Sequence, residues 1–236
     1  MSKPATRTRR SRGSIDANMI IDGAFALARR DGLDALSMPN LARHLGVGVT
    51  SIYWYYKNKD DLLRQMHAAA VRSIHEKLPS VRDYEPEDWR DYLHTLFRRQ
   101  REVYSEDSLV TDLMLSHNSD YSRRTTHFVY AQVEHLLAFL VRAGFDLDTA
   151  WHIHSALSML TRGFTVTERA RTVSGTPPVG PEQLRLLNPD DTPLLARLAA
   201  SGSIIIDTTG DTSFEFGLEM ILDDAERRLA ATNTPN

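Results

Sequence analysis

Cysteine is absent from this 236-residue chain, which excludes disulfides and thiolate chemistry and fits a cytoplasmic protein. No run approaches the roughly 18 apolar residues of a membrane span, and no apolar secretory segment follows Met1. The sequence holds no Gly-rich phosphate loop and no Gly-x-Ser-x-Gly elbow. Nine histidines are present, yet none stands in a His-Glu-x-x-His frame, and His152 and His154 point to different sides of a helix. No metal site, catalytic set or cofactor is therefore expected. Alternating strand patterns are missing too; Ser203–Ile206 is a lone β-like scrap, and no internal repeat is evident.

What is present is helical and unevenly charged. Hydrophobic residues make up 42% and charged residues 25%, enough for a sizeable core. The net charge of −3 hides an asymmetry. Residues 1–66 carry 11 Lys and Arg against 6 acids, and residues 67–236 carry 17 against 25. A basic N-terminal third on an acidic body suits a protein that meets nucleic acid with one end. Residues 1–13 hold five basic groups and no acid. They are expected to form a flexible arm that follows a phosphate backbone or enters a minor groove.

Apolar periodicity predicts helices over 16–30, 59–78, 87–104, 108–116, 121–143, 148–172, 192–200 and 212–231, with a Pro- and Gly-rich loop over 173–190. Between the first two, Leu36–Met66 reads LSMPNLARHLGVGVTSIYWYYKNKDDLLRQM. Ser37 can cap a short helix whose Leu41 and Leu45 share one face. Gly46 can end it in a reversed turn, with Val47 as the turn's buried plug. Gly48, Val49, Thr50 and Ser51 open a second short helix, with Ile52 turned to the core. In a helix-turn-helix these N-terminal positions meet base edges in the major groove. Hydroxyls on Thr50 and Ser51 suit polar edges, and Val49 suits a thymine methyl. Tyr53, Trp54 and Tyr55 are amphipathic groups on the exposed side, and Lys57 and Lys59 lie where phosphates would set register. Asn58 can cap the next helix, with Asp60 and Asp61 at its positive end. The candidate DNA-facing set is thus Ser37, Gly48, Val49, Thr50, Ser51, Tyr53, Trp54, Tyr55, Lys57 and Lys59. Its expected partner is double-stranded DNA.

The stretches AFALARRDGLDALSM and LARHLGVGVTSIYWYYKNKDDLL resemble the DNA-binding domain of the TetR family of transcriptional repressors. FEFGLEMILD, residues 214–223, resembles the last helix of the tetracycline-repressor-like branch. The resemblance implies an all-α fold: an N-terminal three-helix bundle with the helix-turn-helix over 14–66, and a larger ligand-binding and dimerisation domain over 67–236. The last helix carries an apolar stripe of Phe214, Gly217, Leu218, Ile221, Leu222 and Ala225, which packs either within one subunit or against a second. The resemblance implies the second course, a homodimer whose two recognition helices lie about 34–36 Å apart over a palindrome.

A small-molecule effector is implied as well. Gln100 stands among Leu96 and Phe97, and Trp151, His154, Ser158 and Thr161 form a semi-polar stripe on an otherwise apolar helix. Matched to the family, the lining comprises Leu96, Gln100, Met114, His117, Leu136, Trp151, His154 and Met159, a set that favours a hydrophobic or aromatic ligand. Tetracycline-binding members use a histidine where Met159 stands here, and a polar group where Leu96 stands. A thioether is a poor ligand for a hard cation, so a magnesium–tetracycline chelate is not expected. Pro39 replaces a base-contacting side chain of several members. The resulting expectation is a ligand-responsive repressor, released from a palindromic operator by its effector, with no membrane role. The competing readings are an activator or architectural DNA binder without a ligand, and a helical enzyme using His and Asp residues of the body.

Overall fold

A computed structural model describes residues 15–116, 122–175, 185–201 and 209–232. Among them every regular element is helical. In chain order these are α1 (Ala17–Asp31), α2 (Met38–Leu45), α3 (Val49–Tyr53), α4 (Lys59–Glu76), α5 (Trp89–Glu106), α6 (Ser108–Ser116), α7 (Arg123–Arg142), α8 (Leu147–Ser174), α9 (Pro193–Ala200) and α10 (Asp211–Thr232). The arm over 1–13, the β-like scrap and residues 176–184 of the Pro- and Gly-rich loop lie outside the described residues.

Local chemistry sets the boundaries. Asp16 accepts from the Met19 amide at 2.8 Å, and Asn58 from the Asp61 amide at 2.8 Å. Asp146 does the same for Thr149 at 2.8 Å, so α8 starts at Leu147, one residue earlier than periodicity predicts. Helix α4 stops at Glu76, short of Leu78, because Pro79 follows three residues later and disfavours helical backbone before it. Helix α5 starts at Trp89 rather than Glu87, since Pro86–Asp88 forms a separate 3-10 turn.

The chain folds as two compact units. The first comprises Met1–Glu76 and Asp107–Tyr130, the second Lys77–Glu106 and Ala131–Asn236. In the first, α1 packs on α2, α2 on α3, and α6 against α4 and α1. Gly23 permits the α1–α2 approach: a Cβ there would stand 2.5 Å from Leu45 Cδ2. In the second, α8 packs between α5 and α10 around Phe97, Phe139, Leu157 and their buried neighbours.

The stripe on the last helix is spent inside its own chain. Phe214, Leu218, Leu222 and Ala225 are each at most 1% exposed. Ile221 packs against the same core, and Gly217 lets Leu160 of α8 come within 3.0 Å of where a Cβ would sit. Phe214, Leu218, Leu222 and Ala225 are thus core residues of one chain rather than the subunit-interface residues that sequence suggests, whereas Gly217 and Ile221 stay half-buried. The helix has a second apolar edge that sequence alone did not rank: Phe216 and Met220 are 68% and 58% exposed. Ion pairs reinforce the inner packing: Arg90 and Arg98 on α5 face Glu215, Glu219, Asp223 and Glu226 on α10, and His94 Nε2 lies 3.2 and 3.4 Å from Glu215 and Glu219.

Candidate nucleic-acid interface and ligand region

The DNA-facing candidates occupy the corner formed by α2, α3 and the start of α4. Gly46 closes α2 with φ 69°, the left-handed region where an L side chain is strained, and its amide bonds back into the helix. Val47 is half-buried rather than a fully enclosed plug, because the short turn leaves one flank open. Ile52 is wholly buried and fixes the rotation of α3. That rotation leaves Thr50 exposed and Val49 and Ser51 half-exposed. Beyond them Tyr53, Trp54 and Tyr55 are 49%, 85% and 44% exposed, and Lys57 is exposed.

Three candidates have other partners. Ser37 Oγ accepts from the Asn40 amide at 3.3 Å and caps α2. The Tyr55 hydroxyl donates to the Ile15 carbonyl at 2.8 Å, so this ring braces the start of α1. Lys59 Nζ donates to the Leu33 carbonyl at 3.4 Å. Sequence reading passed over Tyr56, which is buried and donates to the Ala17 carbonyl at 3.0 Å. It also passed over Arg43 and His44, exposed in the last turn of α2. Their signal is a pair of basic groups beside the turn.

The ligand candidates do not form one group. Met114 is half-buried in the first unit, and His117 lies outside the described residues. In the second unit, His154 stands 5.8 Å from the Trp151 ring and 6.5 Å from the Phe97 ring, and its Nδ1 is 3.5 Å from Ser158 Oγ. Gln100 Nε2 donates to the Tyr104 hydroxyl at 3.4 Å. Thr161, one turn beyond Ser158, is 2% exposed, and its hydroxyl has no hydrogen-bond partner among the described residues. Burial pushes the His154 imidazole below its ordinary value, so it is neutral near pH 7. Leu96 packs against the core and Leu136 is buried within it. Met159 departs from this set. It is 67% exposed, because five residues along a helix carry it well away from the face of His154.

His75 is a further half-buried imidazole that the sequence analysis did not single out. It meets the Phe128 ring edge-on at 5.2 Å, and burial lowers its pKa. The available signal was its register with Val71 on the buried face of α4. Among the described residues no cluster of His, Asp and Glu could hold a metal ion, and no helix is long and apolar enough to cross a membrane.

Residues 20–66 match the model of bacterial regulatory proteins of the tetR family, and residues 83–229 match the tetracyclin repressor-like C-terminal domain. The chain belongs to the TetR family. An HTH-type transcriptional repressor of Mycobacterium tuberculosis is 40% identical over 227 residues, covering 95% of this chain and 85% of that one. The class D tetracycline repressor protein of Escherichia coli is 27% identical over 231 residues, covering 92% of each. Among solved structures, the TetR family protein ActR of Streptomyces coelicolor, in complex with actinorhodin, superimposes with a TM-score of 0.69 at 22% identity, over 92% of this chain and 97% of that one. That likeness concerns the TetR fold.

Proposed function

We propose that this TetR-family protein is a homodimeric repressor that binds a palindromic operator and releases it when a small, mostly apolar effector enters the body. The observation that carries the reading is the α2–α3 corner. A helix-turn-helix presents Thr50, Tyr53, Trp54 and Lys57 outward from a rigid buried core, on the basic third of the chain. Repression is supported by the repressor roles of the M. tuberculosis and tetracycline-repressor relatives.

The effector site draws on Leu96, Gln100, Trp151 and His154, with Ser158 and Thr161 as additional polar contacts. A neutral imidazole, hydroxyls and an amide among aromatic walls favour an uncharged aromatic ligand with hydrogen-bonding groups. Dimerisation uses the outer edges of α8 and α10. Met159, Gly163 and Val166 share one exposed stripe, and no atom lies within 4 Å of the Cβ position of Gly163. With Phe216 and Met220 they offer an apolar surface that a second copy covers. Effector binding shifts α4, which carries the reading head, and the effector must bind one arrangement more tightly than the other for anything to move.

The test is a gel shift with the chain's own upstream intergenic DNA, with and without a set of hydrophobic aromatic compounds. Saturable binding released by one compound supports the reading. Binding that no compound releases favours an activator or architectural protein, and absence of binding at low salt removes the claim. Tyr53→Ala combined with Lys57→Ala is expected to weaken operator binding at least tenfold, roughly. Lys57 is the chosen cation because Lys59 is turned to the Leu33 carbonyl.

A further inference from the structure

The first compact unit contains more than the reading head: α6 and the start of α7 belong to it, although α5 separates them from α4 in sequence. Helix α6 touches both α1 and α4. At its origin stands Asp107, whose two oxygens are divided between two tasks. Oδ1 accepts from the amides of Leu109 and Val110 at 3.1 and 3.3 Å, capping α6. Oδ2 accepts from Arg29 Nη2 at 2.6 Å, and Arg29 is in the last turn of α1.

An exposed ion pair by itself is worth little, but this one is held at both ends. The cap fixes the carboxylate. The Arg29 guanidinium also lies over the Phe25 ring, 5.3 Å from its centroid. Neighbouring Arg30 is engaged by Asp31 and does not compete. Burial opposes the charge on Asp107, and bonds from Arg29 and the Val110 amide outweigh it, holding the carboxyl below its ordinary pKa. From Arg29 the mechanical path is short. Helix α1 meets α2 where Gly23 lies against Leu45, and α2 packs on α3.

We propose that the Arg29–Asp107 pair is a positioning strut that ties the cap of α6 to α1 and so sets the attitude of the recognition helix. The proposal rests on the DNA-binding reading above and adds to it a second line of communication, through α1 rather than α4.

The experiment compares full-length wild type with Arg29→Ala, Asp107→Asn, their combination and Arg29→Lys. Asparagine keeps a capping oxygen and loses the charge. The DNA is a duplex selected by the wild type from random sequences. Each single change is expected to weaken binding about fivefold, with unchanged thermal midpoint and salt slope. The combination is expected to be no weaker than either single change, and Arg29→Lys to recover most of the loss. Hydrogen exchange over Val49–Tyr53 is expected to accelerate in both singles without DNA. Opposite effects of the two singles on affinity would mean that only overall charge matters, which overturns the strut. Affinity losses that add, or that track a lowered thermal midpoint, overturn it as well. If the wild type selects no duplex, the DNA-binding reading fails instead; exchange then decides the strut, and unchanged rates over Val49–Tyr53 refute it.

Discussion

Gly23 illustrates how a single missing side chain organises the reading head. A methyl placed there meets Leu45 Cδ2 at 2.5 Å, closer than real Cβ contacts come, so Gly23→Ala requires the Leu45 side chain, or α1 and α2 themselves, to shift. Destabilisation of about 1–3 kcal/mol is expected, read as a lower thermal midpoint together with weaker DNA binding. Two half-buried imidazoles give a pH prediction. Burial keeps His75 and His154 below the ordinary value of 6.5, so the unfolded chain takes up protons there before the folded one does. Their contribution to stability is complete above that value and is lost as pH falls through it toward the lower folded values. The thermal midpoint is expected to fall between about pH 7 and pH 5, and His75→Phe to flatten that fall. Residue-scale features whose partners are near in sequence were legible from spacing: the caps at Ser37 and Asn58 and the reversal at Gly46. The Tyr55 hydroxyl was not, because its partner Ile15 lies 40 residues away and only the folded chain brings them together.

At the scale of elements, periodicity located the long α-helices of the described residues to within a few positions, since a 3.6-residue apolar repeat is a local property, while the 3-10 turns at Val81–Asp83 and Pro86–Asp88 left no such signal. It did not rank the faces of α10. That helix has an inner stripe through Phe214, Leu218 and Leu222 and an outer edge at Phe216 and Met220; both are apolar, and only the position of α8 decides between them. Arg101 shows how the inner stripe is held. This α5 side chain pairs with Glu168 of α8 and with Asp211 at the head of α10, and its guanidinium lies 5.4 and 4.7 Å from the Phe164 and Phe214 ring centroids. It also donates to the Thr209 carbonyl at 3.2 Å. Arg101→Met leaves Glu168 partly buried beside an apolar chain, and a loss of about 2 kcal/mol in denaturant unfolding is expected, reduced from the fully buried case because Asp211 is 93% exposed. Arg101→Lys is expected to recover little, since an ammonium cannot reproduce the planar, stacked fork.

For the whole molecule, the prediction concerns assembly. If the outer edges of α8 and α10 meet a second copy, Phe216→Glu places like charges across the two-fold axis. Sedimentation is then expected to show monomer where the wild type shows dimer. Because Phe216 is largely exposed within one chain, the circular dichroism of the monomer is expected to be unchanged, while operator affinity falls with the loss of the second half-site contact. A dimer of wild-type strength in this variant places the interface elsewhere. Composition supplied the basic N-terminal third and the acidic remainder, but it could not say which apolar faces stay uncovered.

The compact unit that holds the reading head is assembled from two stretches of chain, with α5 made in between. A fragment ending at Glu76, or a chimera that joins residues 1–76 to a foreign body, would leave the packed face of α4, with Met66, Ala70, Val71 and Ile74, without the α6 surface that meets this helix in the native chain. DNA specificity in this protein is therefore not a detachable cassette: a transplant has to bring Asp107–Tyr130 along with it, and the loop-closure cost of bringing two separated stretches together is part of what the intact chain meets when it folds.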